Sequence, residues 1–182
     1  TGSIGKDIAR VLKFFGMEIR GMNTSGSLIE FFDSVFTVDQ KDEFFDDLDY
    51  VVSVLPFTPD AKYFFDSSMF ESMDKKSVFM NIGRGGNVCE EDLMDALTEG
   101  EIVGAVLDVF EKEPLSTDSP LWDMNNVTIT AHVSGHFMSD MEFNIFEENY
   151  NLFCAGEDLK YQIDFNKEVH GIQEVDVEIE LL

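Results

Sequence analysis

A chain of 182 residues suits one domain, or one domain with an appendage. Its 37 acidic residues against 12 basic give a formal net charge of -25. The phosphate backbone of nucleic acid and anionic membrane surfaces would both repel such a chain, so neither is an expected partner. The acidity reads instead as a solvated surface suited to a saline cytoplasm. Apolar residues make up 44% of the chain, enough for a substantial core. Cys89 and Cys154 form neither a disulfide framework nor a metal-ligand spacing, so both are expected to be ordinary reduced thiols, with no metal. No apolar run approaches a membrane span, and the opening residues lack a signal-peptide pattern, so a cytoplasmic protein is expected.

In chain order, Ile4, Ile8, Leu12 and Phe15 recur at helical spacing and predict a helix over Ser3–Phe15, ended by Gly16. Met17–Met22 reads as a strand, and residues 27–49, rich in Phe and Asp, are ambiguous. Tyr50–Leu55 is a β-branched apolar run stopped by Pro56, the pattern of a buried parallel strand. Ser68 and Glu71 have capping-box spacing and predict a short helix. Further strands are expected at Ser77–Ile82, Ile102–Val109 and Val127–Thr130, with a helix at Glu90–Glu99 closed by Gly100. Ser139–Ala155 reads as a long helix, and the alternating tail Val175–Leu181 as a half-exposed strand. Strands alternating with helices predict an α/β fold.

The opening TGSIGKDIA sets Gly2 and Gly5 three apart at a helix start. In the dinucleotide motif G-x-G-x-x-G these match the second and third glycines, which let the pyrophosphate approach and the helix pack on its strand. The first glycine would lie one residue before Thr1. A P-loop needs four residues between its glycines followed by Lys and Ser/Thr; here only Ser3 and Ile4 intervene and Lys6 is followed by Asp7. The strand after the helix ends at Asn23, then Thr24 and Ser25, with no carboxylate to hold ribose hydroxyls or repel a 2′-phosphate. NADP is therefore as acceptable as NAD on this reading, and an Asn23→Asp change is expected to favour NAD.

Five motifs follow in order: FGM at 15–17, LPFTPDAK at 55–62, NIGRGG at 81–86, LDVFEKEPL at 107–115 and NVTITAHVSG at 126–135. Together they closely resemble the D-isomer-specific 2-hydroxyacid dehydrogenases, which include glyoxylate/hydroxypyruvate reductases and phosphoglycerate dehydrogenases. The resemblance runs from Thr1 to about Gly171. It implies NAD(P)-dependent, reversible reduction of 2-oxo acids to D-2-hydroxy acids. It places a catalytic arginine on Arg84, its acidic partner on Glu113, the acid/base histidine on His132 and a nicotinamide-holding aspartate on Asp108. The cofactor contacts fall on Gly2, Ser3, Ile4, Asn23, Thr24, Leu55, Pro56, Ile82, Gly83, Asp108, Ser134 and Gly135. Position in the fold supports these roles independently, since ligands of open α/β sheets bind beyond the carboxyl ends of the strands. Arg84 can grip a carboxylate through two parallel hydrogen bonds, and a histidine can pass a proton to a ketone oxygen.

His136, His170 and Cys89 have no such support and read as structural. Ala131 stands where the family usually has proline, and Asn23 where it usually has an acidic residue. The resemblance further implies a doubly wound sheet begun after its first strand, with residues 1–137 as the dinucleotide-binding portion. Residues 138–182 would belong with a substrate lobe that this chain does not contain, and the full-length protein would be a homodimer. Two other readings stay open: a non-catalytic dinucleotide-binding or protein-interaction module, and an inactive fragment.

Overall fold

The computed structural model describes residues 1–135, 139–160 and 162. Ile8, Ala9 and Leu12 give α1 (Ser3–Phe14) one apolar stripe, and Gly16 turns the chain at φ +79° into β1 (Arg20–Met22). A second strand, β2 (Ser34–Phe36), lies inside the stretch that sequence patterning left ambiguous. Its position is fixed from outside: Asp33 accepts from the Ile19 N–H at 2.7 Å and from Lys13 Nζ at 2.6 Å. A 3₁₀ turn at Val38–Gln40, closed by a Thr37/Gln40 capping box, leads into α2 (Lys41–Phe45).

The remaining strands are β3 (Tyr50–Ser53), β4 (Val78–Asn81), β5 (Gly104–Leu107) and β6 (Val127–Ile129), all parallel and in the order β3-β4-β5-β6. Each is shorter than its apolar run, because the run continues past the last paired residue into the loop. Between them lie α3 (Ser67–Glu71) and α4 (Glu90–Glu99). Gly100 ends α4 in the left-handed region at φ +73°, where a side chain would be strained. The start of α3 differs from expectation. Asp66, not Ser68, is the cap, its carboxylate accepting from the Met69 N–H at 3.2 Å. An aspartate one residue before the first turn reaches that N–H, and the Ser68 hydroxyl, already inside the helix, instead accepts from Lys41. The long helix α5 spans Ser139–Ala155 as expected, while the tail Val175–Leu181, His136 and His170 lie outside the described residues.

Strand alternation separates two apolar layers. Val51 and Phe79 face a large core with Phe65, Phe70 and Leu93 from the α3–α4 side, where the Phe65 and Phe79 rings pack tilted at 54° with centroids 4.8 Å apart. Val52, Met80 and Ile82 face the opposite side with Ala9 of α1, Ile19 and Phe32. The result is the three-layer α/β/α arrangement of a doubly wound fold. β1 pairs with β2, β3 pairs with β4, and a cleft of about 720 Å³ lined by Ile8, Leu12, Ile19, Val52 and Met80 separates the two sheets. A doubly wound sheet places its first strand at that position.

Candidate active site

The four paired strands run in one direction, so the segments leaving β3, β4, β5 and β6 emerge along one edge of the sheet. Leu55 and Pro56 follow β3, Ile82–Arg84 follow β4, Asp108 follows β5, and His132–Gly135 follow β6. This edge is where open α/β sheets hold ligands.

Arg84 is set by a tight turn. Asn81, buried at the end of β4, accepts from the Gly83 N–H at 3.2 Å and donates through Nδ2 to the Arg84 carbonyl at 3.1 Å. Gly83 lies so close to the β3 end that a Cβ there would meet the Leu55 backbone at 2.7 Å. Gly85 packs tighter still, its missing Cβ falling 1.9 Å from the Phe110 carbonyl. The Arg84 side chain is exposed, with Nη1 donating to the Gly83 carbonyl at 2.8 Å.

His132 Nδ1 lies 2.8 Å from Glu113 Oε2. An ionised carboxylate only accepts, so the shared proton sits on Nδ1 and leaves Nε2 for other chemistry. Glu113 Oε1 accepts from the Phe110 N–H at 3.0 Å, which fixes the carboxylate from its other side. Burial alone would push the Glu113 carboxyl up. The His132 contact, the Phe110 N–H and the nearby Arg84 charge outweigh burial and hold the carboxyl below its ordinary range.

Asp108 is 1% exposed. Burial would raise its carboxyl, yet hydrogen bonds from Ser134, Thr130 and Val133 outweigh burial and hold it far below the usual carboxylate range. Its backbone carbonyl accepts from the His132 N–H at 2.8 Å.

At the other end of the site, α1 starts at Gly2 with no side-chain cap and no acidic residue in its first turn. An uncapped N-terminus offers backbone N–H groups and the positive dipole end to a phosphate. Asn23 lies beside it, 1% exposed and turned inward. Its Oδ1 accepts from the Ser25 and Gly26 N–H groups at 3.1 and 2.7 Å, while Nδ2 donates to Thr1 Oγ1 at 3.3 Å and to the Ser27 carbonyl at 3.2 Å. Asn23 therefore shapes the turn, and Thr24 and Ser25 are its exposed members. An open helix start, close-packed glycines and a turn without carboxylates together fit a dinucleotide phosphate chain.

Among the described residues there is no group of three or more His, Cys, Asp or Glu fit to hold a metal, and no helix long and apolar enough to cross a membrane. Cys89 is half-buried and Cys154 exposed. The motif search singled out Arg84, Glu113 and His132 but missed Asn81 and Thr130, which hold the loops that carry them. Their one signal was a polar residue at the end of an apolar strand.

The profile described as D-isomer specific 2-hydroxyacid dehydrogenase, NAD binding domain, matches residues 1–134. The chain belongs to this family. A glyoxylate/hydroxypyruvate reductase A of Photorhabdus laumondii is 32% identical over 157 residues, covering 86% of this chain and 50% of that protein. A probable 2-ketogluconate reductase of Dictyostelium discoideum is 36% identical over 152 residues, covering 79% of this chain and 45% of its own length. Among solved structures, a D-isomer specific 2-hydroxyacid dehydrogenase family protein from Aeromonas salmonicida superposes with a TM-score of 0.85 at 42% identity, over 91% of this chain and 53% of that one. An NADPH-dependent glyoxylate/hydroxypyruvate reductase from Sinorhizobium meliloti, solved with NADP and sulfate, gives 0.84 at 34% identity, over 92% and 54%. The chain thus spans about half the length of the relatives it matches. It carries the NAD-binding domain of the family, for which NAD or NADP is the cofactor.

Proposed function

We propose that the protein carrying this chain reversibly reduces 2-oxo acids to D-2-hydroxy acids with NAD(P)H. The observation that carries the proposal is the His132–Glu113 pair at 2.8 Å on the sheet edge that also carries Arg84. In this reading residues 1–137 hold the dinucleotide and residues 138–182 belong with the substrate lobe. Gly2, Ser3 and Ile4 receive the pyrophosphate at the start of α1. Thr24, on the turn that Asn23 shapes, meets the adenosine ribose. Leu55, Pro56, Ile82 and Gly83 line the path to the nicotinamide, and Asp108, Ser134 and Gly135 surround its far end.

The bound nicotinamide supplies the hydride in one direction and takes it in the other. Arg84 orients the substrate by gripping its carboxylate with a fork of two N–H donors, which a point-charge lysine reproduces poorly. His132 holds a proton on Nε2 and passes it to the oxygen of the 2-oxo group during reduction; in oxidation Nε2 takes it back. Glu113 keeps the ring in this orientation by accepting from Nδ1–H. A cytoplasmic homodimer is part of the same reading. A retained acid/base pair weighs against a purely non-catalytic module.

The test is a full-length enzyme carrying this half, mixed with NADH or NADPH and a panel of glyoxylate, hydroxypyruvate and pyruvate. Loss of reduced nicotinamide with a D-hydroxy product wherever the product is chiral supports the proposal. Absence of turnover across the panel with both cofactors, in a folded protein that binds them, overturns it.

A further inference from the structure

The segment after β5 carries Glu113, yet among the described residues 109–115 make no backbone–backbone hydrogen bond. Glu111, Lys112 and Glu113 are all exposed. No strand ladder therefore fixes where the Glu113 carboxylate meets His132. Helix α4 has a matching need. Cys89 at its N-cap makes no side-chain hydrogen bond to the first turn, and an uncapped helix start leaves N–H groups unpaired. The two needs meet at one place. Glu111 Oε1 accepts from the Glu90 N–H at 2.9 Å, and Glu90 Oε1 accepts from the Glu111 N–H at 2.7 Å. This is the reciprocal exchange of a capping box, made between segments 21 residues apart.

We infer that Glu111 is a positioning residue: it clasps this segment to the start of α4 and so holds Glu113, and through it His132, in place. The inference rests on the proposed acid/base role of His132. A third bond comes from the loop after β3, where Tyr63 Oη donates to Glu111 Oε2 at 2.9 Å, so both carboxylate oxygens are engaged. Tyr63 stands at φ +52°, a left-handed conformation uncommon for a residue with a Cβ, with its N–H donating to the Gly86 carbonyl at 3.0 Å. By accepting from it, the Glu111 carboxylate pushes the Tyr63 hydroxyl up, which keeps the proton on Oη for this bond. The loop after β3, the start of α4 and the segment after β5 thus join at one side chain. Glu111 is one residue from the Phe110 N–H, which donates to Glu113 Oε1 at 3.0 Å. It is two residues from Glu113, whose Oε2 lies 2.8 Å from His132 Nδ1. Of the two glutamates in LDVFEKEPL, one bonds the imidazole and the other bonds the scaffold.

The test uses the full-length enzyme carrying this half. Glu111→Ala should lower kcat for a 2-oxo acid about 5- to 30-fold, the net worth of one or two hydrogen bonds. Its Kd for NADPH, read by nicotinamide fluorescence, should stay within about threefold of wild type, because the loss acts on the proton transfer and not on cofactor binding. Glu111→Gln should recover most of kcat, since its amide oxygen can still accept from the Glu90 N–H and its N–H₂ can donate to Tyr63 Oη. Tyr63→Phe removes one bond of the three and should cost about two- to fivefold. Amide hydrogen exchange at Glu90 and Phe110 should speed up at least about fivefold in Glu111→Ala. The deciding measurement repeats Glu111→Ala in a His132→Ala background. A residue that acts through His132 should cost no more than about twofold there, because effects of residues acting as a unit do not add. An equal fold loss in both backgrounds would show a merely structural role and overturn the inference, as would a Glu111→Ala kcat within about twofold of wild type. Unimpaired turnover in His132→Ala alone would instead remove the acid/base reading, and exchange at Phe110 would still decide whether Glu111 holds the segment.

Discussion

Replacing Gly85 with alanine should damage both stability and turnover, and its size can be worked from one distance. A Cβ at position 85 would sit 1.9 Å from the carbonyl carbon and oxygen of Phe110 and 2.5 Å from its Cα. Ordinary contact begins near 3.4 Å, so the turn after β4 and the segment after β5 must part by roughly 1.5 Å. Both partners are backbone, so no rotamer can absorb the clash. Overpacking that a side chain can partly relieve costs about 1–3 kcal/mol, and this case should lie at or above about 3 kcal/mol. The displaced segment contains the Phe110 N–H that fixes Glu113, and the displaced turn contains Arg84. Misplacement by about 1 Å costs on the order of 10²-fold in rate. Gly86→Ala is the internal control. Its Cβ would meet the Phe57 ring at 2.5 Å, but that ring is 47% exposed and free to swing aside. Its cost should stay within about 0.5–1 kcal/mol. The assay is the denaturant midpoint of each variant alongside kcat/KM in the full-length enzyme. A Gly85→Ala protein as stable and active as Gly86→Ala would refute the packing argument.

Arg84→Lys should lower kcat/KM for 2-oxo acids by about 10- to 100-fold while leaving NADPH affinity unchanged, because only the forked grip is lost; an unchanged kcat/KM would remove the carboxylate-clamp role. Asn23→Asp should lower the unfolding free energy by about 1–3 kcal/mol, since a buried carboxylate would face the Ser27 carbonyl that Nδ2 now serves. An unaltered midpoint with a shift toward NAD would show that the residue meets the ribose directly. Residues 1–182 expressed alone should unfold with low cooperativity, because among the described residues β1 and β3 flank a cleft and each pairs with a neighbouring strand along one edge. A cooperative, cofactor-stabilised monomer from this polypeptide would contradict that expectation.

Much of this fold was legible because its strands are buried on both faces. Val51, Val52, Phe79 and Met80 sit in continuous apolar runs, which local patterning detects. Helix α4 was read to the residue, since Gly100 marks its end with the left-handed turn it adopts. β2 escaped because it has three half-buried residues and is held by Asp33 bridging to Ile19 and Lys13, partners 14 and 20 residues away. The cap of α3 was misread for a different reason: Asp66 and Ser68 are both good caps by type, and only the helix start decides between them. In the candidate site, Arg84, Glu113 and His132 were singled out through motif order. The support of His132 was not, because Asp108 is joined to Thr130 and Ser134 across 22 and 26 residues. Asn23 could be recognised as a strand-end residue, but the inward direction of its amide depends on Thr1 and Ser27.

The proton-transfer role of His132 bears most of the functional account. It is tested most directly by His132→Ala in the full-length enzyme, with kcat for a 2-oxo acid and Kd for NADPH measured on the same preparation. The account predicts a kcat lower by about 10²- to 10⁴-fold, the usual worth of a positioned acid/base, with Kd essentially unchanged. Turnover within a few fold of wild type would contradict it, and His132 would then be a loop residue that Glu113 merely anchors.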